Sequence, residues 1–155
     1  MERRSRSRRA AACLARVVEL ADTSAWTNRH RDDATRADFD TRVVRGEIAT
    51  CPPVLMELLW SVRASGEFED TVSRMSALPQ LEANRPVWDR AVAVWRELVR
   101  RGRHRQAHQP DLLIAAAAEL AGVPVCHYDR HFEVIAEVTG QPMRAIAPLG
   151  TLTSG

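Results

Sequence analysis

The sequence predicts an α/β domain of three layers, in which helices cover both faces of a short parallel sheet. Short apolar runs rich in β-branched residues, typical of buried strands, alternate with longer segments whose apolar residues recur at helical spacing. The chain has 155 residues, the size of one ordinary domain, and 45% of them are hydrophobic, which is enough for a core. Short strands separated by helices favour a parallel sheet.

The first predicted strand is an apolar run that ends at Asp22 and contains Val17, Val18, Leu20 and Ala21. The segment ATRADFDTRVVRGEIA follows and can form a helix with its apolar residues on one side. Residues 48–51 then form a second short strand, which two prolines end. The second of these prolines suits the first turn of a helix, where its missing N–H costs nothing.

Helices are predicted for four segments between the second and third strands: PVLMELLWSVRA, FEDTVSRMSALP, RPVWDRAVAVWRELVRRG and PDLLIAAAAELAG. We expect Gly66 to end the first of them. The third carries Val87, Ala91, Val94 and Leu98 at helical spacing, and the fourth is nearly all apolar and must be buried. The strand VPVCHYD, the helix RHFEVIAEVTG and the strand MRAIAP complete the order.

Basic residues are concentrated at the start of the chain. Residues 1–16 contain six of the 22 basic residues, all arginine, and one of the 20 acids, so the remainder carries a net formal charge of −3. The net charge of the whole chain therefore does not indicate a nucleic-acid-binding surface. We expect residues 1–15 to form a basic, disordered leader, or to result from a start codon placed too far upstream, and residues 16–155 to form the folded domain.

The cysteines and the hydropathy favour a cytoplasmic protein. Cys13, Cys51 and Cys126 lie far apart without CxxC spacing, which indicates reduced thiols used as small core residues. The sequence contains no apolar run of 18 or more residues, so it predicts no transmembrane helix.

Carboxylates stand at four places where an open α/β sheet collects functional side chains. Asp22 and Asp129 follow predicted strands, Asp111 lies in the first turn of the buried helix, and Glu57 lies in VLMELLW. Each has a structural explanation when taken alone, such as capping a helix or complementing its dipole. Together they can converge on one cleft, where a divalent cation such as Mg²⁺ or Mn²⁺ relieves their mutual repulsion.

Other kinds of site find less support in the sequence. His104 and His108 are four residues apart in a polar loop with no glutamate between them, so we expect solvated side chains and no histidine cluster for a softer metal. A phospho-receiver domain has a similar order of strands and helices, but that family uses a lysine near its site, and this chain contains no lysine. A haloacid-type phosphatase would have a second aspartate where Ser24 stands, and no glycine-rich loop supports a nucleotide site.

Four segments resemble, in order and spacing, the acidic blocks of a known nuclease family: VVELADTSAW, PPVLMELLW, QPDLLIAAAA and HYDRHFEVIA. They resemble PIN-domain nucleases, in particular the VapC-type ribonuclease toxins of bacterial toxin–antitoxin pairs. The resemblance covers residues 17–150 and implies a PIN-like three-layer α/β/α fold with a short central parallel sheet. It also implies hydrolysis of RNA phosphodiesters that depends on Mg²⁺ or Mn²⁺.

The resemblance assigns the catalytic and metal-binding acids to Asp22, Glu57, Asp111 and Asp129. Thr23 and Ser24 match the hydroxyl pair after the first acid, which can help to hold metal or phosphate. Many members carry a small polar or acidic residue two positions after the fourth acid, and here His131 departs from that pattern.

Partners follow from the same resemblance. It implies a cognate antitoxin, whose tail wraps the toxin and blocks the acidic cleft, and a homodimer that forms a heterotetramer or larger assembly with it. The best candidates for contacts to RNA phosphates precede Asp111 and are Arg100, Arg101, Arg103 and Arg105. A solvated helix end explains these arginines equally well.

Two alternatives stay open within the same fold. One is a PIN-domain nuclease of general RNA processing, and the other is an inactive PIN-like module that binds RNA or protein. The small size of the chain and the lack of a fused RNA-binding domain favour the toxin, and the presence of all four acids disfavours the inactive module.

Overall fold

The computed structural model describes residues 19–152 of the chain. The predicted leader, residues 1–15, lies outside the described residues, as do Val17 and Val18 of the first predicted strand. Within them, helices pack on both faces of a parallel sheet of four strands, which confirms the prediction of a three-layer α/β/α fold.

The sheet has the strand order β2-β1-β3-β4, and all of its strands are parallel. Its strands are β1 (Glu19–Ala21), β2 (Ile48–Ala49), β3 (Val125–His127) and β4 (Met143–Ala145). β1 lies between β2 and β3, and Ala21 pairs with Cys126 at the carboxyl ends of β1 and β3. The residues that follow these two strands therefore emerge side by side at one edge of the sheet, where α/β proteins place their sites.

The described residues form seven α-helices, which are α1 (Thr23–Asn28), α2 (Asp33–Val44), α3 (Pro52–Trp60), α4 (Ser65–Ser76), α5 (Arg85–Arg100), α6 (Gln109–Ala121) and α7 (Arg130–Thr139). The four helices predicted between β2 and β3 are confirmed as α3 to α6. None of the helices in residues 19–152 has the length and apolar character needed to cross a membrane.

Two details of the helix prediction were wrong. α1 was not predicted; it begins directly after Asp22, whose side chain caps it by accepting the backbone N–H of Ser24 at 2.8 Å. α3 ends at Trp60 and not at Gly66, which lies in the first turn of α4. Gly66 has no positive φ, so it lacks the left-handed conformation by which glycine commonly ends a helix.

The two faces of the sheet pack against different helices. Leu20 and Val125 belong to the larger core, which is formed with α3 to α7, whereas Ala21 and Cys126 pack with Phe39 of α2 on the other face. The predicted apolar side of α5 is confirmed, because all of its members are buried: Val87, Ala91, Val94 and Leu98. Cys51 and Cys126 are buried free thiols, as predicted.

A buried ion pair joins the smaller helical layer to the sheet. Glu19 of β1 is 1% exposed and accepts two hydrogen bonds from Arg144 of β4, at 2.8 and 2.5 Å, while Arg42 of α2 pairs with the same carboxylate. Burial alone would raise the pKa of Glu19, but the hydrogen bonds from Arg144 and Arg42 outweigh burial and hold the pKa below its usual value. Glu19 is therefore an ionised acid with its countercharge supplied inside the fold.

Candidate active site

Asp22 leaves β1 at the carboxyl edge of the sheet with its side chain held in place. It is 3% exposed, and its carboxylate accepts hydrogen bonds from both the backbone N–H and the hydroxyl of Ser24. The same hydroxyl oxygen accepts the backbone N–H of Tyr128, which follows β3, at 2.9 Å. Ser24 thus connects the ends of β1 and β3 and orients Asp22 between them.

Glu57 reaches the same region from α3. The hydroxyl of Thr23 donates a hydrogen bond of 2.9 Å to its carboxylate, which links α1 to α3. The family resemblance pointed to the hydroxyls of Thr23 and Ser24, and each of them contacts a carboxylate of the site. Their observed role in the fold is to fix the orientation of these acids.

Asp111 lies in the first turn of the buried helix α6 and is 6% exposed. Its Oδ2 atom accepts the backbone N–H of His108 at 3.2 Å, and Nδ1 of His131 lies 3.0 Å from the same oxygen. Acids are favoured in the first turn by the helix dipole, so Asp111 has a local structural role as well as its place in the cleft.

Asp129 follows β3 and caps α7, where its carboxylate accepts the backbone N–H of His131 at 3.0 Å. Its own N–H donates to Nδ1 of His127, at 3.2 Å. Burial lowers the pKa of His127, which favours the neutral imidazole that accepts this bond. Asp129 is thereby held by one hydrogen bond from its backbone N–H and one to its carboxylate.

Three of the acids, Asp22, Glu57 and Asp111, lie close enough to other acids of the cleft for their ionisation to be affected. Burial raises the pKa of Asp22 to about 7, and the charges of Asp111 and Glu57 add to the increase. Burial also raises the pKa of Glu57 and of Asp111, and the charge of Asp129 raises both further. The carboxylates are therefore held near one another at an energetic cost when they are all ionised.

No arginine in residues 19–152 forms an ion pair with any of these four acids, in contrast to Glu19 with its two guanidinium partners. The carboxylates supply hard oxygen atoms with no arginine partner among the described residues, and that combination fits a divalent cation. The assignment of all four acids to one metal site stays a prediction.

Histidines also adjoin the acids, and the prediction that no histidine cluster accompanies them is wrong. His108 caps α6, and its ring meets that of His131 edge to face with 4.2 Å between centroids. One ligand atom from each of His108, Asp111 and His131 lies within 4.8 Å of the other two. The spacing of three residues between His108 and Asp111 was a local signal, but the approach of His131 depends on how α6 and α7 pack.

The arginines proposed to contact RNA, which we call the arginine segment, pair mainly with acids of the protein itself. They are Arg100, Arg101, Arg103 and Arg105. Arg100 and Arg101 pair with Glu97 in the last turns of α5, and Arg103 pairs with Glu137. Glu137 lies eight residues beyond the cap of α7, about 12 Å along the helix axis. Three of the four candidate arginines are thus partly neutralised.

Comparison with known proteins gives a consistent result. The family model for the PIN domain matches residues 20–138. Ribonuclease VapC18 of Mycobacterium tuberculosis strain H37Rv is 34% identical over 138 residues, which cover 88% of this chain and 100% of that protein. Ribonuclease VapC21 of the same strain is 36% identical over 133 residues, which cover 85% of this chain and 96% of that protein.

Solved structures share the fold at lower identity. DNA-bound VapBC from Salmonella typhimurium has a TM-score of 0.66 at 21% identity and covers 84% of this chain and 99% of its own. VapBC-5 from Mycobacterium tuberculosis, a member of the VapBC family of toxin–antitoxin systems, has a TM-score of 0.58 at 18% identity, with coverages of 83% and 98%. These likenesses bear on the fold alone. From the family model and the curated relatives together, the chain belongs to the PIN domain family and, within it, to the VapC ribonucleases.

Proposed function

We propose that the chain is a divalent-metal-dependent endoribonuclease, the toxin of a toxin–antitoxin pair, and that it hydrolyses RNA phosphodiesters at the cleft of the four acids. The observation that carries the proposal is that Asp22, Glu57 and Asp111 have raised pKa values, to which the charges of neighbouring acids of the cleft contribute, and that none of the four acids pairs with an arginine in residues 19–152. The relatives named Ribonuclease VapC support the class of reaction. An inactive binding module would have no use for acids held together at such a cost.

The four acids are the proposed ligands of Mg²⁺ or Mn²⁺. When bound, the cation supplies positive charge that offsets the charge of the phosphate and promotes ionisation of the attacking water. Ser24 and Thr23 hold Asp22 and Glu57 in orientation by hydrogen bonds, so little reorganisation is needed when the ligands engage. Carboxylates also offer no competing nucleophile of the serine or cysteine type.

The chain also has surfaces suited to partners, and we infer both an antitoxin and a second copy of the chain. The solved VapBC structures that share this fold support the inference of an antitoxin partner. Beside Glu57, a groove of about 620 Å³ is lined by apolar side chains that include Met56, Trp60 and Trp88, and Trp60 is 92% exposed. Exposed apolar surface of this kind commonly marks a protein–protein interface. The buried free thiols of Cys51 and Cys126 are consistent with the reducing cytoplasm, where we place the protein.

The oligomeric state of the isolated chain provides one test. Light scattering over a range of concentrations should give the mass of two chains, because a dimer covers apolar side chains that a monomer leaves in water. The variant Trp60→Ser should form a weaker dimer if the groove is part of the dimer interface. A mass of one chain at every concentration would contradict the homodimer.

Loss of a single acid should remove RNA cleavage. We expect Asp22→Asn, Asp111→Asn and Asp129→Asn each to reduce metal-dependent cleavage to background, because each removes one charged ligand from the proposed metal site. The assay uses a labelled RNA with Mg²⁺ or Mn²⁺, and Asp70→Asn, at an exposed acid of α4, is the matched control. Cleavage at the wild-type rate by all three folded variants would show that the site is assigned wrongly.

The same change at Asp22 should not weaken the fold when metal is absent. The folded-state pKa near 7 lies above the unfolded value of 3.8, so the folded chain binds more protons between these limits and its free energy of unfolding falls as the pH rises through them. Asp22→Asn keeps a capping side chain but removes the charge. Urea unfolding with EDTA at pH 5 and pH 8 should therefore show a smaller loss of stability in the variant than in the wild type, and Asp70→Asn should behave as the wild type does.

RNA phosphates are the proposed ligands of the arginine segment, and Arg105 is its best-placed member. Arg105 forms no ion pair within residues 19–152, whereas Arg101 and Arg103 are paired with acids. If Arg105 contacts one phosphate, Arg105→Ala should lower the slope of log affinity against log salt by about 0.7 for single-stranded RNA. Arg85→Ala, at the opposite end of α5, is the control. Equal slopes in the two variants would move the RNA path to another face.

A further inference from the structure

We propose that His108 and His131 join Asp111 in a mixed nitrogen–oxygen site for a divalent transition-metal ion, so that the cleft prefers Mn²⁺, Co²⁺ or Zn²⁺ to Mg²⁺. The inference rests on the proposed function, since Asp111 belongs to the proposed nuclease cleft. It adds two imidazole ligands to a site that family resemblance describes as carboxylates alone.

The positions of the three side chains carry this inference. One ligand atom from each lies within 4.8 Å of the other two, and Nδ1 of His131 lies 3.0 Å from Oδ2 of Asp111. Bonds of about 2.0–2.2 Å from a metal to nitrogen and oxygen allow ligand atoms to be up to about 4.4 Å apart. Small rotations of side chains therefore suffice to bring the three atoms into one coordination sphere.

His131 also faces a second acid of the cleft. Its Nδ1 lies 3.4 Å from Oδ1 of Asp129, so this nitrogen stands between the carboxylates of Asp111 and Asp129. His108 approaches the same Oδ2 of Asp111 with its Nδ1 at 3.9 Å, and its side chain is 68% exposed. An ion can therefore reach the cluster from solvent and contact both imidazoles.

The chemistry of the donors decides which ions are preferred. Mg²⁺ favours oxygen ligands and retains bound waters, whereas imidazole nitrogen suits transition ions, with affinity rising from Mn²⁺ through Co²⁺ and with Zn²⁺ also bound tightly. An aspartate or asparagine at position 131 would keep the cleft an oxygen site. The histidine found there, together with His108, shifts the balance towards nitrogen.

The opposing explanation is that His131 only orients Asp111 through a hydrogen bond. In that case its removal would affect all cations alike, since only the position of the carboxylate would change. The two explanations therefore differ in the selectivity between ions and not merely in affinity.

The test is calorimetric titration of the full chain with Co²⁺ and, separately, with Mg²⁺. The proteins compared are the wild type, His131→Asn and His108→Asn. The control is His30→Asn, because His30 is exposed and lies outside the cluster. We expect each cluster variant to lose at least about tenfold in Co²⁺ affinity, while Mg²⁺ affinity changes by less than threefold and His30→Asn matches the wild type. Equal changes for the two ions, or no change for either, would overturn the proposal.

A second measurement needs no variant. Pulsed electron paramagnetic resonance of wild-type protein loaded with Mn²⁺ should show coupling to imidazole nitrogen, and its absence would refute the ligation even if a histidine variant failed to fold.

Cleavage of RNA separates this inference from the proposed function. Cleavage supported by Mg²⁺ together with unchanged Co²⁺ binding in both histidine variants would overturn the inference and leave the nuclease standing. Histidine-dependent Co²⁺ binding without cleavage in the presence of any ion would support the inference and contradict the nuclease.

Discussion

Full or partial burial of carboxylates that have no arginine partner in residues 19–152 is the constraint on which the rest of the cleft depends. The segment of β1 shows it most directly, because Glu19 begins the strand and Asp22 directly follows it. Glu19 is paired with Arg144 and Arg42, and its pKa is lowered, whereas Asp22 has no such partner within the described residues and its pKa is raised to about 7. Similar burial thus has opposite consequences, according to whether the fold supplies the countercharge or leaves it to a ligand.

Such a cleft holds its shape because neutral donors replace the missing cations. Hydroxyl and backbone N–H groups bond to the acids without cancelling their charge, as Ser24 does for Asp22 and Thr23 for Glu57. An arginine in the same place would give a more stable fold but would occupy the space and the charge that a cation needs. On the proposed function, stability at this edge of the sheet is therefore limited by the need to bind a cation.

The sequence was sufficient for the layers and the helices around the core, because these depend on periodicity, and it placed Asp22 and Asp129 correctly after strands, while the metal-binding role of the four acids stays a prediction. The spacing of Val87, Ala91, Val94 and Leu98 carries its own information about which side of α5 is buried. α1 was missed because Asp22 was interpreted as the end of a strand, and one side chain can both end a strand and cap a helix.

Contacts between distant segments could not be obtained in this way. The meeting of His108 with His131 requires the packing of α6 against α7, and the ion pairs of Arg103 and Glu137 join α7 to the end of α5. Neither leaves a pattern in the local sequence. The end of α3 is similar, since Gly66 looks like a stop signal but lies within the next helix with an ordinary backbone conformation.

Asp22 and Asp129 each cap a helix and are also proposed metal ligands, and this combination has a consequence for the substitutions that the fold tolerates. A change of either residue to asparagine or serine keeps a capping side chain while removing the charge, so on the proposed function it removes a metal ligand without removing the cap. A change to an aliphatic residue loses both and exposes the chain to degradation. Variants of the first kind are therefore expected to remain folded, with an amide or a hydroxyl in place of the acid.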